Sequence, residues 1–495
     1  MRTLLGIDIG TSSIKAMLLD TEKGVIAVKK SRYDIMIPGA DQAEQNPEIW
    51  WAGLLEVLHG FKEDIRTMEA FENIAGIGFS GQMHGLVCID SGGNPVRPAI
   101  IWLDQRSDHI VKKINDRIGE DTKRNVLHNQ IAAGFAFPSL LWLKEEERES
   151  YDKIHKIFQP KDYIRYKMTG IAGTDVTDAS ATGVFDISRR EWAWDIIGEF
   201  KVEKSIFPEC YESGECAGSI SRECARATGL KEGIPVVYGC GDQMAQSLGN
   251  GVYREGAIIS NIGTGGQVSA YSDTDVFDPM LRTNTFCHAV NKGYSVFGAT
   301  LNCGNSLKWV CQNVLDMGAG NFDECNSLAG SAPAGSDGLI YLPYLSGERT
   351  PLMNANAKGI LFGLKLEHDR RHVTRAVMEG MIYSLKDCLC LLQEMGIDGD
   401  EIIASGGGAY SDLMLQMQAD IFEKNIKVCD VCEQACLGAC MIAGAGLGIF
   451  DIQWACERFV SFNKKIFAPS KETQDVYRSG FGIYHEIYKN LRQLM

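Results

Sequence analysis

The sequence predicts an α/β protein built from two related halves, each opening with a β-hairpin. The first observation is a repeat: LLGIDIGTSSIKAMLLD (4–20) and IISNIGTGGQVSAYSD (258–273) share an apolar strand, an Ile-Gly-Thr turn and a second alternating strand. Gly10 aligns with Gly263, about half a chain later, as duplicated units would place it. The second is alternation, in both halves, of short apolar runs bounded by glycine with helical patterns. The third is composition: 495 residues, 45% hydrophobic and 23% charged, form a globular chain with ample core and not a disordered or fibrous one.

Along the chain, NIAGIGFS (73–80) and IPVVYGCG (234–241) read as buried strands of the first half, after its hairpin. The segment GNGVYREGA (249–257) is a short linker, dividing the chain into 1–248 and 249–495. The second half continues with strands at GLIYLPYL (338–345) and EIIASGGG (401–408). Between them Val373, Ala376, Val377, Met381, Leu385, Leu389 and Leu392 recur at helical spacing and predict a long amphipathic helix. Hairpins at the start of each half make both sheets mixed.

Charge and targeting signals exclude several classes. Lys plus Arg number 49 against 64 Asp plus Glu, a net charge of −15, which argues against a general nucleic-acid binder. The first residues, MRTLLGIDIG, lack a secretory h-region, and the longest uncharged stretch, 435–450, is too short to span a bilayer. No membrane role is expected, and a cytoplasmic location is. Sixteen cysteines without framework spacing are read as reduced thiols. Cys429, Cys432, Cys436 and Cys440 sit among Ala and Gly, so they are expected to pack as small hydrophobes in a helix and not to ligate a metal.

Four segments carry candidate chemistry. Asp8-Ile9-Gly10-Thr11-Ser12-Ser13 is a small polar turn whose amides and hydroxyls could cradle phosphate, and Asn261-Ile262-Gly263-Thr264-Gly265-Gly266 is its second copy. The copies differ in charge: Asp8 can hold Mg²⁺ beside a triphosphate, whereas a second carboxylate at 261 would add repulsion. Asp242 follows a strand and opens a helix, so it is either a helix cap or a functional acid at a strand's carboxyl end. Gln82, Met83 and His84 lie between Gly81 and Gly85 at another strand end, and Gly406, Gly407 and Gly408 allow close approach of a ligand to backbone.

This set of motifs resembles the FGGY family of carbohydrate kinases, within the actin and hexokinase superfamily. The resemblance runs through DIGTS, SGQMHG (80–85), WLDQR (102–106), PKDYIRYKMTG (160–170), GCGDQ (239–243), NIGTGG (261–266), LPYLSGERTP (342–351), the stretch 359–380, and SGGGA (405–409). It implies two ribonuclease-H-like domains with a catalytic cleft between them, the second binding nucleotide, and ATP-dependent phosphorylation of a sugar's primary hydroxyl. Asp242 then matches the catalytic base and Asp8 the acid that organises Mg²⁺, with both near the metal. Met83, His84, Gln243, Trp102 and Asp104 match the sugar side; Thr11, Ser12, Gly263, Thr264, Gly304, Gly407 and Gly408 match positions around ATP.

The resemblance is closest to members acting on D-xylulose, which would become D-xylulose 5-phosphate. Gln243 stands where those members usually carry Asn, so ribulose, another ketose or a glycerol-like polyol remain alternatives. Gln82-Met83-His84 lacks the Arg-Glu pair of glycerol kinases, and Ser139 replaces a usual Lys. A non-catalytic sensor, repressor or chaperone is the competing class; retention of Asp242 favours turnover. A homodimer is also compatible with the sequence.

Overall fold

The apolar run at the start of the chain forms β1 (Thr3–Ile9), buried at every position, which returns antiparallel as β2 (Ser13–Asp20) and then β3 (Gly24–Arg32). The structure is a computed structural model that describes residues 2–317 and 321–495. On the other side of β1 lies β4 (Ile74–Gly81), in parallel register. With β5 (Cys216–Ser219), β6 (Pro235–Val237) and β7 (Cys240–Gly241), the first sheet has the order β5-β6-β4-β1-β2-β3, and β7 also pairs with β4. The strand expected at 234–241 is thus broken in two. Gly239 causes the break: it takes φ 78°, and a Cβ there would lie 2.4 Å from the Phe79 carbonyl oxygen.

The second sheet repeats the path. Its strands β8 (Ala257–Ile262), β9 (Gly266–Ser272), β10 (Asn284–Cys287), β11 (Tyr294–Thr300), β12 (Glu401–Gly406) and β13 (Asn425–Val428) have the order β10-β11-β9-β8-β12-β13. In both sheets the first strand pairs antiparallel with its hairpin partner and parallel with the strand on its other side. This is the duplication the repeat implied, in the ribonuclease-H-like arrangement the family resemblance implied. Of the strand expected at 338–345, only Ile340–Leu342 forms, in a separate two-stranded sheet with Ile360–Phe362. Pro343, which has no N–H to donate, follows its last residue.

The helices that bear on the site are α1 (Pro47–Glu63), α2 (Val176–Ser180), α3 (Asp242–Gly249), α4 (Cys303–Trp309), α5 (Arg370–Glu394), α6 (Asp412–Phe422) and α7 (Gln434–Gly446). The helical positions Ala376, Val377, Met381, Leu385, Leu389 and Leu392 are each 1% exposed or less, and α5 packs them against β9 and β11. Ser411 caps α6 by accepting from the Met414 amide.

The first sheet is covered by α7, although α7 comes from beyond residue 249. Glycine makes the contact possible: a Cβ at Gly78 of β4 would lie 2.0 Å from the Ala439 carbonyl oxygen, and one at Gly438 2.0 Å from that of Ala245 in α3. A cut at residues 248/249 therefore separates α7 from the sheet it packs on. Cys436 and Cys440 are buried in this interface as small hydrophobes, their thiols held neutral by burial. The expectation of reduced cysteines throughout fails at one pair. Cys311 and Cys325, on segments that turn back onto the same core, are joined by a disulfide with sulfurs 2.09 Å apart. Among the described residues, no helix is long and apolar enough to cross a membrane.

Candidate active site

The first hairpin sets three side chains by register alone. Asp8 pairs with Lys15 across the hairpin and with Ser80 on parallel β4. Ser80 Oγ donates to Asp8 Oδ1 at 2.8 Å, and Lys15 Nζ reaches Glu433 Oε2, beside the start of α7, at 2.5 Å. Asp8 is only 5% exposed; burial raises its pKa, against the Ser80 hydrogen bond and the Lys15 charge.

Asp242 arrives at the same place because β7 runs parallel to β4, with Gly241 beside Gly81. It is the first residue of α3, whose N-cap is Gly241, so the cap reading is set aside. Burial and then the neighbouring Asp8 charge push its carboxyl up to about 7, against the Gln243 amide and Lys15. A carboxylate that exchanges a proton near neutral pH is suited to general-base work.

The second hairpin has the same register with neutral groups. Asn261 pairs with Gln267 across the turn and with Ser405 on β12, and Ser405 Oγ donates to Asn261 Oδ1 at 3.2 Å. Gly263 and Thr264 are exposed at the turn. The start of α4 closes on them: Gly304 N–H donates to Gly263 O at 2.9 Å and Asn305 N–H to Thr264 O at 3.0 Å. A Cβ at Gly304 would lie 2.3 Å from Gly263 O, and one at Gly406 2.4 Å from Asn261 Oδ1. Side chains would fill this cradle. Gly263, Thr264, Gly304, exposed Gly407 and buried Gly408 thus lie together, as expected of a backbone-lined anion site.

At the first turn Thr11 is half-buried and Ser12 exposed, and Trp102, 41% exposed, donates its indole N–H to Thr11 Oγ1 at 2.9 Å. His84 has φ 69°, stacks on Phe135 at 4.4 Å between ring centroids and lies 5.8 Å from Phe286 of the second sheet. Its Nδ1 bonds the Ala181 carbonyl oxygen at 2.7 Å, which requires Nδ1 to carry the proton and leaves Nε2 an acceptor. Burial holds the ring neutral, its pKa near 4, with a smaller push from the Arg349 charge. The Gln243 side-chain Nε2 is buried without a partner, a donor in want of an acceptor. Met83 is 5% exposed and packs its sulfur under Gly241.

Asp104 does not fit the sugar-binding role expected of it. It is 0% exposed, and its carboxylate accepts from the Ala43 amide at 2.7 Å and from the Arg106 side chain at 2.9 Å. It anchors the loop that presents Trp102.

Lys15, Glu348 and Arg349 also lie at the site, outside the residues that the motifs single out. Alternation along the hairpin could have found Lys15, which faces Asp8. The other two depend on long-range folding. Buried Glu348 accepts from the Leu301 and Arg349 amides at 2.8 Å each, and burial pushes its carboxyl up to about 7. Arg349, from the second half, exposes its side chain near His84 of the first.

Profiles for the N-terminal and C-terminal domains of the FGGY family of carbohydrate kinases match residues 3–249 and 259–447. The chain belongs to that family. Among FGGY relatives, a xylulose kinase of Lactococcus lactis subsp. lactis (strain IL1403) is 35% identical over 497 residues, spanning 100% of this chain and 98% of that protein. The structure of a xyloylose kinase from Brucella ovis matches with a TM-score of 0.94 at 27% identity, covering 100% of both chains. That of a gluconate kinase from Lactobacillus acidophilus matches with a TM-score of 0.91 at 26% identity, over 99% of this chain and 98% of that one. The FGGY fold is thus shared almost equally with kinases named for different sugars, and the choice of sugar rests on side chains.

Proposed function

We propose that this FGGY-family kinase transfers the γ-phosphoryl group of ATP to the primary hydroxyl of a pentulose in the cytoplasm, converting D-xylulose to D-xylulose 5-phosphate. The observation that carries the reading is Asp242, a half-buried carboxyl with a pKa near 7 beside Asp8. The full-length relative named for xylulose favours that sugar.

In this reading the sugar lies against His84, whose Nε2 accepts a hydrogen bond from a hydroxyl, with Gln243 Nε2 donating to another oxygen and Trp102 bordering the sugar. Asp242 accepts the proton of the attacking hydroxyl. The hydroxyl oxygen bonds to the γ-phosphorus as the bond to the β–γ bridging oxygen breaks, and ADP leaves. Gly263, Thr264, Gly304, Gly407 and Gly408 hold the nucleotide, while Thr11 and Ser12 meet its terminal phosphate. The paired carboxylates of Asp8 and Asp242 suit a hard divalent cation, so they would hold Mg²⁺, which supplies neutralising charge to the phosphates. Lys15 balances the remaining negative charge around Asp8.

A second reading, a kinase for another ketose or a polyol, is favoured by Gln243, which reaches one methylene further than Asn. A coupled ADP-release assay across D-xylulose, D-ribulose, glycerol and gluconate separates the two. The highest kcat/KM is expected for D-xylulose; a higher value for another sugar moves the assignment to that sugar.

A further inference from the structure

Behind the site lies a cluster of charges with no access to solvent. Lys161, Asp162, Asp175 and Asp178 are each 0% exposed, and Lys161 Nζ lies 2.7, 2.9 and 3.1 Å from the three carboxylates in that order. Arg165, also 0% exposed, adds a second cation 3.7 Å from Asp162. Burial raises the Asp178 carboxyl well above its ordinary value, against the pull of the Lys161 charge. Such a cluster is a poor stabiliser, because well-packed apolar side chains commonly do as well or better. Its cost points to a task in orientation.

One of the hydroxyls bound to the cluster, that of Thr177, links it to the segment before Asp242. Asp175 Oδ2 accepts from Thr177 Oγ1 at 2.7 Å and from Ser213 Oγ at 2.6 Å. With its one proton committed to Asp175, Thr177 Oγ1 turns a lone pair outward and accepts from the Gly241 N–H at 2.8 Å. Gly241 is the residue before Asp242, in β7 beside Gly81. The same short segment touches two other parts of the site. The Ala181 carbonyl holds His84 Nδ1, and Ser180 Oγ accepts from the Cys287 amide in β10 of the second sheet at 3.1 Å.

We propose that the Lys161–Asp175 ion pair, acting through Thr177 Oγ1, is a positioning device that fixes the backbone ahead of Asp242 and so aims its carboxylate at the sugar hydroxyl. This rests on the kinase reading above. Thr177 is a positioning residue: it touches Gly241 and no reacting atom. A misaimed base loses rate, while His84, held by the Ala181 carbonyl and not by the Thr177 hydroxyl, still meets the sugar.

The test is Thr177→Val, which keeps the side chain's volume and removes the hydroxyl, beside Thr177→Ser, which keeps the hydroxyl. For parent and variants, kcat and KM for both substrates are measured by ADP release, and sugar affinity without ATP by calorimetry. Thr177→Val is expected to lower kcat roughly 10- to 100-fold with sugar affinity within about threefold, and Thr177→Ser to stay within about threefold of the parent in both. Thr177→Ala provides a second hydroxyl-free variant should Val disturb folding, and it must show the same loss. Parental kcat in either hydroxyl-free variant, or equal losses in the Ser and Val variants, overturns the proposal. A parent that releases no ADP with any sugar overturns the kinase reading instead.

Discussion

The two hairpins of this protein occupy equivalent places in equivalent sheets and carry opposite chemistry. In the first, Asp8 faces Lys15 across the turn and Ser80 on the parallel strand; in the second, Asn261 faces Gln267 and Ser405 in the same registers. The serine bond is kept in both, Ser80 to Asp8 and Ser405 to Asn261. The backbone duplicates the cradle, and two side chains per copy divide the labour. Charge is concentrated at the first hairpin, where Asp8 raises the proton affinity of Asp242. The second stays neutral and leaves its turn to glycines, so in the proposed kinase reaction phosphate oxygens would meet amides without a carboxylate in the way.

This division predicts a graded series of effects. Asp242→Asn removes the base and should lower kcat by roughly 10²- to 10⁴-fold with little change in sugar affinity, read by ADP release and calorimetry. Asp8→Asn should lower Mg²⁺-dependent turnover by roughly a hundredfold while near-ultraviolet circular dichroism stays parental. It should also move the acid limb of the pH profile. As the proposed base Asp242 would act deprotonated, so kcat/KM should fall as pH drops through about 7. Removing the Asp8 charge lowers the Asp242 pKa and shifts that limb to lower pH. Asn261→Asp should raise KM for ATP about tenfold by placing a carboxylate against the phosphates, leaving KM for the sugar unchanged.

His84 sharpens the contrast from the sugar side. Its ring is neutral above about pH 4, so a hydrogen bond from a sugar hydroxyl to Nε2 would be the weaker, uncharged kind. His84→Ala should cost about 0.5–1.5 kcal/mol in kcat/KM for D-xylulose. Gln243→Asn, a change of one methylene, should shift the ratio of kcat/KM values for D-xylulose and D-ribulose by a smaller factor. Substrate profiles identical to the parent in both variants would remove these residues from the sugar site.

The parts of this account legible in the sequence are those written in local periodicity. The Ile-Gly-Thr repeat gave both hairpins, and helical spacing from Val373 to Leu392 gave α5. Asp8 and Asp242 were visible because acids at strand ends next to glycine are chemically conspicuous. What the sequence concealed depends on distant partners. Asp104 looks like a binding acid until Ala43 and Arg106 are seen to occupy it. The packing of α7 on the first sheet requires Gly6 and Gly78 to meet α7 backbone, and its packing on α3 requires Gly438 to meet Ala245. Arg349 reaches the neighbourhood of His84 only once both halves have assembled.

Exchanging the hairpin charges tests the central claim most directly. Turnover of D-xylulose at saturating Mg²⁺ and ATP is compared in the parent, Asp8→Asn, Asn261→Asp and the double variant carrying both. If position decides, the double variant, with the parental number of carboxylates, is no faster than Asp8→Asn alone and also carries the raised KM for ATP. If the double variant recovers turnover towards the parent, carboxylate count and not place governs the site, and the division of labour between the hairpins is wrong.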